Sequence, residues 1–393
     1  MTDTPSPASR FSTIRIDGTG PVALACALWL VRTGIPARHI ALPLAQQATS
    51  ILPAHGPRRA IALSEGSRQI LARLIPLPPA GRIAHIEIFQ QGTTGHTRID
   101  THDMGLDALG YVVDWQSLIH ELHAVADTLD FAPVDDPRFE RPDLLIHAGG
   151  LPPQGARPAD AFSIRDTGQS GLLFEVEVDG TADTAFECFC PDGPLALLPA
   201  PPTQGRPRYT VVWCAPTALC QQRARWSAEA LGAGLRGTLQ SVLGQRQWHH
   251  LARRFGPLQV CTPAFAVPLP RVARHQLVAP GQVWIGNAAQ ALHPVAGQGL
   301  NLGLRDAFEL ARAVGEHWVG RRHPDIEAAL QQHARARRCD RALTIQTTDL
   351  FAATFGWPAA RRLQSLLLTA MHLHAPLRRP LARALIYGHR QRA

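Results

Sequence analysis

The sequence predicts an α/β fold in which a parallel sheet is assembled from distant parts of the chain. Two strand-turn-helix patterns and one strand-rich stretch indicate it. The apolar strand at Ile14–Ile16 leads through the tight turn at 18–20 into an apolar helix. A second apolar strand ends at Ile285, and a glycine-bearing loop and a helix follow it. Between them, residues 161–269 have mainly the pattern of strands, so a β-rich segment is inserted into the sheet-forming part.

The remaining elements follow from hydrophobic periodicity and from glycine and proline positions. In chain order, the patterns predict a strand over 37–42, a helix over 64–74, an antiparallel hairpin over 83–100, a helix over 114–128, a strand over 143–147 and a long helix near 226–243. Proline-rich stretches at 151–158 and 200–207 are predicted loops.

The first turn has the spacing G-x-G-x-x-A. Such a turn lets backbone N–H groups approach a pyrophosphate at the start of a helix. The candidate ligand-binding residues here are Gly18, Gly20, Pro21, Val22 and Ala23.

The second pattern supplies another helix start. His293-Pro294 favours an extended kink, and Gly297 and Gly299 can adopt φ > 0 before the helix begins. Exposed N–H groups there attract a phosphate or an electron-rich carbonyl. The candidates are Gly286, Asn287, Pro294, Gly297, Gln298, Gly299, Leu300 and Asn301.

These residues carry a resemblance to a known family. The run Gly286-Asn287-Ala288-Ala289-Gln290 and its continuation resemble the second flavin-contacting motif of class A FAD-dependent aromatic hydroxylases. The branch it resembles most is that of ubiquinone biosynthesis, the 2-polyprenyl-6-methoxyphenol hydroxylase type, in which Asn replaces the usual Asp of the motif. Further similar segments are 59–71, 106–113, 191–198 and 334–340, so the likeness extends over nearly the whole chain.

The resemblance implies a discontinuous Rossmann-like FAD-binding domain, an inserted mainly β substrate domain and a helical C-terminal tail. The expected bounds are 11–82, 101–160 and 270–325 for the FAD-binding domain, 83–100 and 161–269 for the substrate domain, and 326–393 for the helical region.

It also implies an enzyme, an FAD-dependent monooxygenase that uses NAD(P)H as a transient reductant and O2 to hydroxylate an aromatic, in particular a polyprenyl phenol. Arg59 resembles the family arginine near the flavin. His293 and Pro294 have positional roles only, because the flavin carries the chemistry rather than a protein acid or base. No metal site or Ser-His-Asp pattern is predicted.

Two departures from the family pattern keep a second reading open. No carboxylate occurs between Asp17 and Glu65, so the ribose of the cofactor would be held by other groups, such as Gln46 or Gln47. After the strand at 143–147 the family has Asp-Gly, whereas this chain has Gly149-Gly150. The alternative is a cofactor-poor relative that serves as a binding or assembly subunit of a biosynthetic complex.

The amino-acid composition limits which binding partners and which cellular compartment are expected for this protein. The seven cysteines form no C-x-x-C pair, which is typical of free thiols in a reducing cytoplasm. The excess of 39 Lys+Arg over 31 Asp+Glu is densest in the runs 331–341, 361–362 and 378–392. A solvated helix face explains these runs better than nucleic acid, for which no recognition motif is present. A third option is an anionic membrane surface at residues 366–390, which combine apolar residues with arginines. The cysteines thus predict a cytoplasmic protein. The resemblance implies in addition that it is peripheral on the inner membrane and has a ubiquinone-biosynthesis complex as a further partner.

Overall fold

The computed structural model describes residues 12–44, 59–93, 95–151, 161–203, 205–294, 297–318, 324–354 and 358–388. Its strands are β1 (Ile14–Asp17), β2 (Ile40–Ala41), β3 (Ala60–Ser64), β4 (Ala80–Ile83), β5 (His85–Gln90), β6 (His96–Asp100), β7 (Gly110–Asp114), β8 (Leu144–His147), β9 (Phe162–Arg165), β10 (Gln169–Glu177), β11 (Thr184–Cys190), β12 (Gly193–Thr203), β13 (Arg206–Pro216), β14 (Gln259–Val260), β15 (Phe265–Pro268), β16 (Arg271–Arg274), β17 (Val278–Ala279), β18 (Gln282–Trp284) and β19 (Gln290–Ala291). Its helices are α1 (Pro21–Arg32), α2 (Glu65–Ala72), α3 (Thr101–Met104), α4 (Trp115–Ala126), α5 (Thr217–Arg223), α6 (Ala228–Phe255), α7 (Gln298–Trp318), α8 (Ile326–Thr354), α9 (Pro358–Leu373) and α10 (Ala375–Tyr387).

A five-stranded sheet joins distant parts of the chain in the order β17-β18-β8-β1-β2. Its strands are parallel except for β17, which pairs antiparallel with β18. Ile16, Ile146 and Val283 are completely buried, as expected for a parallel sheet that is covered on both faces. Helices α1 and α7 pack on this sheet and share its hydrophobic core. The predicted α/β class and the return of residue 283 to the first sheet are confirmed.

A second, eight-stranded sheet has the order β14-β10-β13-β12-β11-β5-β6, with β15 paired to β10. Strands β5 and β6 form the predicted hairpin. Side chains alternate along each strand. In β11, Phe186 and Cys188 belong to the core beneath α6, whereas Ala185, Glu187 and Phe189 face a cavity. One face of the sheet is therefore available to a ligand.

Four elements differ from the sequence prediction. The loop expected over 200–207 is mostly strand, because β12 continues to Thr203 and β13 starts at Arg206. The strand expected over 37–42 is a 3-10 turn at Ala37–His39 followed by the short β2, because Pro36 starts the turn. The long helix runs on to Phe255 and contains a break at Gly244, whose φ is 70°. The prolines at 376 and 380 predict that the C-terminal segment is divided into short helices, yet Pro380 lies inside the continuous α10. It stands in the second turn of that helix, so one backbone hydrogen bond is lost.

None of the helices that the structure describes has the length and apolar character required to cross a membrane.

Candidate functional site

A cavity of about 1000 Å3 lies between the two large sheets. The turn before α1, strand β3 and the start of α7 line one part of it, and the eight-stranded sheet and the C-terminal helices line the other. Of the predicted site residues, Gly20, Pro21, Val22, Arg59, Asn287, Pro294, Gly297, Gln298, Gly299, Leu300 and Asn301 line the cavity. Gly18, Ala23, Gly286 and His293 do not line it. The structure thus brings most residues of the two turns to one cavity, although more than 260 residues separate the turns in the chain.

The two glycines of the first turn have different surroundings. Gly18 has φ 149°, and a Cβ there would lie 2.6 Å from the carbonyl carbon of Ala148 in the adjacent strand end. A Cβ on Gly20, by contrast, would have no heavy atom within 4 Å. Gly18 therefore lets the turn close against the sheet, and Gly20 keeps space open where α1 begins. Ala23 is completely buried and packs α1 on the sheet.

The two glycines of the second turn, Gly297 and Gly299, also differ in their surroundings. Gly297 has φ 58° and approaches Ala62, whereas a Cβ on Gly299 would meet no atom within 4 Å. Asn301 donates hydrogen bonds to the carbonyl oxygens of Gly297 (2.8 Å) and Ala62 (2.9 Å). Its Oδ1 accepts one from the N–H of Ser64 (2.9 Å). The Asn301 amide therefore fastens the start of α7 to β3.

Arg59 provides a cation inside the cavity. Its guanidinium carbon lies 4.0 Å from the centroid of the Trp115 ring. Arg59 has no ion pair with a carboxylate within the described part of the chain, and burial lowers the pKa of its guanidinium. Such a group favours an anionic ligand. Trp115 also lines the cavity, and sequence reasoning missed it because nothing local pairs it with Arg59.

His293 lies behind the loop rather than in the cavity. Its Nε2 lies 3.0 Å from Oε1 of Gln169, and the side chain is buried. Burial lowers the pKa of His293 to about 4, so the ring is neutral at pH 7. These contacts fit a positional role, since they connect the loop to β10.

A buried ion-pair network holds the loop from the other side. Asp306 accepts hydrogen bonds from the N–H of Gly286 (3.3 Å) and the Gln290 amide (2.9 Å), and its other oxygen lies 2.7 Å from Nε of Arg337. Arg341 donates to Oε1 of Gln290 (2.7 Å). Arg337 is only 2% exposed. The run 331–341 is thus not a purely solvated face, because Arg337 and Asp340 are buried in it. The separations of Arg337, Asp340 and Arg341, which put them on one helix face, were the signal available in the sequence.

The sheet side of the cavity is almost entirely apolar. The lining side chains of the eight-stranded sheet are Ile86, Ile88, Ala185, Glu187, Phe189, Pro194, Ala196, Leu198, Val212 and Cys214. Leu367, Leu368, Met371, Leu381, Leu385 and Ile386 close it from α9 and α10. Among the described residues that line the cavity, Glu187 is the one carboxylate. This part suits an apolar molecule with a single polar group.

Similarity to known proteins agrees with this geometry. The family model described as "FAD binding domain" matches residues 272–344. The chain is 28% identical over 320 residues to the 3-demethoxyubiquinol 3-hydroxylase of Escherichia coli K12, covering 73% of this chain and 75% of that protein. It is 31% identical over 243 residues to the ubiquinone hydroxylase UbiL of Rhodospirillum rubrum, covering 61% of this chain and 51% of that protein.

Solved structures share the fold. PqsL, a probable FAD-dependent monooxygenase from Pseudomonas aeruginosa, superposes with a TM-score of 0.68 at 16% identity over 90% of this chain and 99% of that one. Klebsiella pneumoniae HpxO in complex with FAD and uric acid gives 0.64 at 16% identity, with 96% of each chain covered.

The fold, the matched family model and the relatives together indicate an FAD-dependent monooxygenase with FAD as its cofactor. Among the proteins to which the chain is similar are hydroxylases of ubiquinone biosynthesis.

Proposed function

We propose that the protein hydroxylates the ring of a polyprenyl phenol in ubiquinone biosynthesis, with NAD(P)H and O2 as co-substrates. The observation that carries the proposal is the two-part cavity, in which a glycine-lined, cationic end meets a long apolar end. The substrate class comes from the names of two relatives, a 3-demethoxyubiquinol 3-hydroxylase and a ubiquinone hydroxylase.

The residues at the first end fit FAD. The open spaces at Gly20 and Gly299 admit a ligand close to the backbone, and Arg59 offers a positive charge to a pyrophosphate. We assign FAD to the cavity-lining residues, which are Gly20, Pro21, Val22 and Arg59 on one side and Asn287, Pro294, Gly297, Gln298, Gly299, Leu300 and Asn301 on the other. Gly18, Ala23 and Gly286 would shape the two turns behind these contacts. Gln46 and Gln47, the alternative partners of the ribose, lie outside the described residues. Bound FAD would accept a hydride from NAD(P)H and activate O2.

The chain's own contribution is to orient the ring and exclude water. The apolar wall of β5, β11, β12 and β13 would cover the phenol and the first part of its prenyl chain. Glu187 would accept a hydrogen bond from the phenol O–H. Because a carboxylate acceptor increases electron density on a phenol ring, this contact favours attack by an electrophilic oxygen.

We further propose that the two predicted domains and the C-terminal helical region have separate roles. Residues 11–82, 101–160 and 270–325 would hold FAD, and 83–100 with 161–269 would shape the substrate compartment. The helices of 326–393 would close that compartment. The placement of β5 and β6 in the eight-stranded sheet supports it.

Since a polyprenyl substrate resides in a bilayer, we also propose that the protein works in the cytoplasm at an anionic inner-membrane surface, in contact with other ubiquinone-biosynthesis proteins.

The test begins with the visible absorption spectrum of the purified protein, which should show bound oxidised flavin. NAD(P)H oxidation and the mass of the product are then measured with a short-chain 2-prenylphenol. We expect a product heavier by one oxygen atom. A protein that stays colourless after incubation with FAD would favour the non-catalytic subunit instead.

A further inference from the structure

Five leucines of the C-terminal helices face solvent. Leu363, Leu366, Leu367 and Leu373 of α9 and Leu377 of α10 are between 51% and 77% exposed. The four on α9 fall on one side of the helix by their spacing. We call these five residues the leucine surface. A contiguous apolar group of this kind marks an interaction site more often than an isolated exposed leucine does.

The opposite side of α9 is fixed to the protein, so the leucines are not displaced core residues. Oε1 of Gln364 accepts a hydrogen bond from Nε2 of Gln90 (2.9 Å). The ring of His372 lies 4.7 Å from that of His96 in β6. Leu368 and Met371 are buried and line the cavity. The helix therefore has an anchored inner face and an apolar outer face.

The charge around the leucine surface has one sign. Residues 358–388 contain five arginines and no Asp, Glu or Lys. Arg362, Arg379 and Arg383 are exposed. Arg378 is the exception, because its guanidinium pairs with Asp103 (2.7 Å). Exposed leucines flanked by exposed arginines match the chemistry of an anionic lipid surface, in which apolar side chains enter the acyl boundary and cations meet the headgroups.

The leucine surface is continuous with the cavity. Leu367 is 57% exposed and also lines the cavity, so the rim of the cavity belongs to the same surface. Leu381, Leu385 and Ile386 line the inside of the cavity, so among the leucines of α10 it is Leu377 that belongs to the leucine surface.

We propose that the leucine surface docks on an anionic bilayer and that the cavity takes its substrate directly from the lipid phase at Leu367. The inference rests on the proposed function for the identity of the substrate, but docking itself is measured without any substrate. Under this proposal α9, and not the arginine-rich segment 378–392, is the principal lipid contact.

The test is co-sedimentation of the full-length flavoprotein with vesicles of phosphatidylcholine, with and without phosphatidylglycerol. We expect binding that requires phosphatidylglycerol. The variant Leu363→Gln/Leu366→Gln/Leu373→Gln should lower the partition coefficient at least about tenfold, because three apolar side chains no longer enter the membrane. The control is Ile164→Gln/Leu343→Gln, which changes two residues that are 49% and 40% exposed outside α9 and α10. It should bind like the wild type.

A second measurement needs no variant. Hydrogen exchange of the wild-type protein should show protection of residues 358–377 when anionic vesicles are added. Equal sedimentation of the leucine variant and the wild type, or unchanged exchange in 358–377, would overturn the proposal. The proposal would also be overturned if the wild type were a dimer that does not bind vesicles and the leucine variant were a monomer. A second copy of the chain would then cover the leucine surface. Flavin content is recorded on the same samples, so a failure of the proposed function is seen separately.

Discussion

Two glycines with the same predicted role, Gly18 and Gly20, have different roles in the structure. The turn sequence predicted Gly18 and Gly20 together as contacts for a pyrophosphate. Only Gly20 opens onto the cavity, while Gly18 fits against Ala148 with φ 149°. The sequence could predict the turn from its spacing, but not which glycine packs against a strand 130 residues away.

This difference gives a prediction for Gly299. Because a Cβ at Gly299 has open space, Gly299→Val should fold normally and fill the room proposed for FAD. We expect near wild-type thermal stability of the apoprotein and loss of most bound flavin, measured by absorbance after desalting. Gly18→Val is the contrasting variant, since its side chain would clash with Ala148 and unfold the protein. Full flavin occupancy in Gly299→Val would show that the cofactor lies elsewhere.

The end of the second strand gives another prediction. Leu42 is 2% exposed and belongs to the core, whereas Leu44 is partly exposed where the described segment ends. Leu44→Glu should therefore strengthen FAD binding by about 1–3 kcal/mol if a ribose hydroxyl lacks a carboxylate partner. Leu42→Glu should destabilise the fold, because it would bury a charge. FAD titration of the apoproteins measures the first effect, and an unchanged affinity of Leu44→Glu would mean that other groups already hold the ribose.

At the scale of elements, helix α8 holds the turn at 286–290 in place through α7. Arg337 bridges Asp306 of α7 (2.7 Å) and Asp340 of its own helix (2.6 Å), and all three side chains are buried. Removing one partner of such a pair leaves a buried charge without compensation. Arginine density alone suggested a surface, because composition does not show which residues of a helix face inward.

We predict that Arg337→Met lowers the free energy of unfolding by about 3–5 kcal/mol. The turn at 286–290 should also loosen, since Asp306 accepts a hydrogen bond from the Gly286 N–H. Arg338→Met is the matched control, because Arg338 is the next residue and is exposed. Urea denaturation of both variants measures the effect, and equal midpoints for the two would contradict the role of the network.

His333 makes stability depend on pH. It is completely buried, neither ring nitrogen has a hydrogen-bond partner among the described residues, and burial lowers its pKa from 6.5 to about 4. The unfolded chain therefore binds the proton first as the pH falls. Its contribution to stability is complete above about pH 6.5 and is lost progressively toward pH 4.

We predict that His333→Leu removes about 2 kcal/mol of the stability difference between pH 7 and pH 5. The measurement is the urea midpoint of each protein at both pH values. An identical loss in the variant and the wild type would show that other groups cause the acid sensitivity.

For the whole molecule, the sequence predicted the two strand-turn-helix units, the inserted strands and the discontinuous sheet, since each leaves a local pattern of period and turn residues. It did not predict the cavity wall. Glu187, Trp115 and Leu385 come together from three distant elements, and only the tertiary fold brings them to one space. The C-terminal segment was expected as a tail, yet its last helix is part of the enclosure.

Removing α10 should therefore damage the site as a whole. Nε2 of Gln298, at the start of α7, donates to the carbonyl oxygen of Leu385 (3.2 Å). Ile386 is 3% exposed, and a Cβ on Gly66 would lie 2.8 Å from its carbonyl oxygen, so α10 packs closely on α2. Each buried Leu or Ile side chain contributes roughly 1.5–3 kcal/mol. A protein ending at His374 should thus show a lower melting temperature and lose most of its flavin, whereas one ending at Gly388 should keep both. Flavin content and thermal melts of the two truncations decide the matter. If the shorter protein stays yellow and melts with the longer one, α10 is a detachable tail, and the apolar end of the cavity is closed by α9 and the sheet alone.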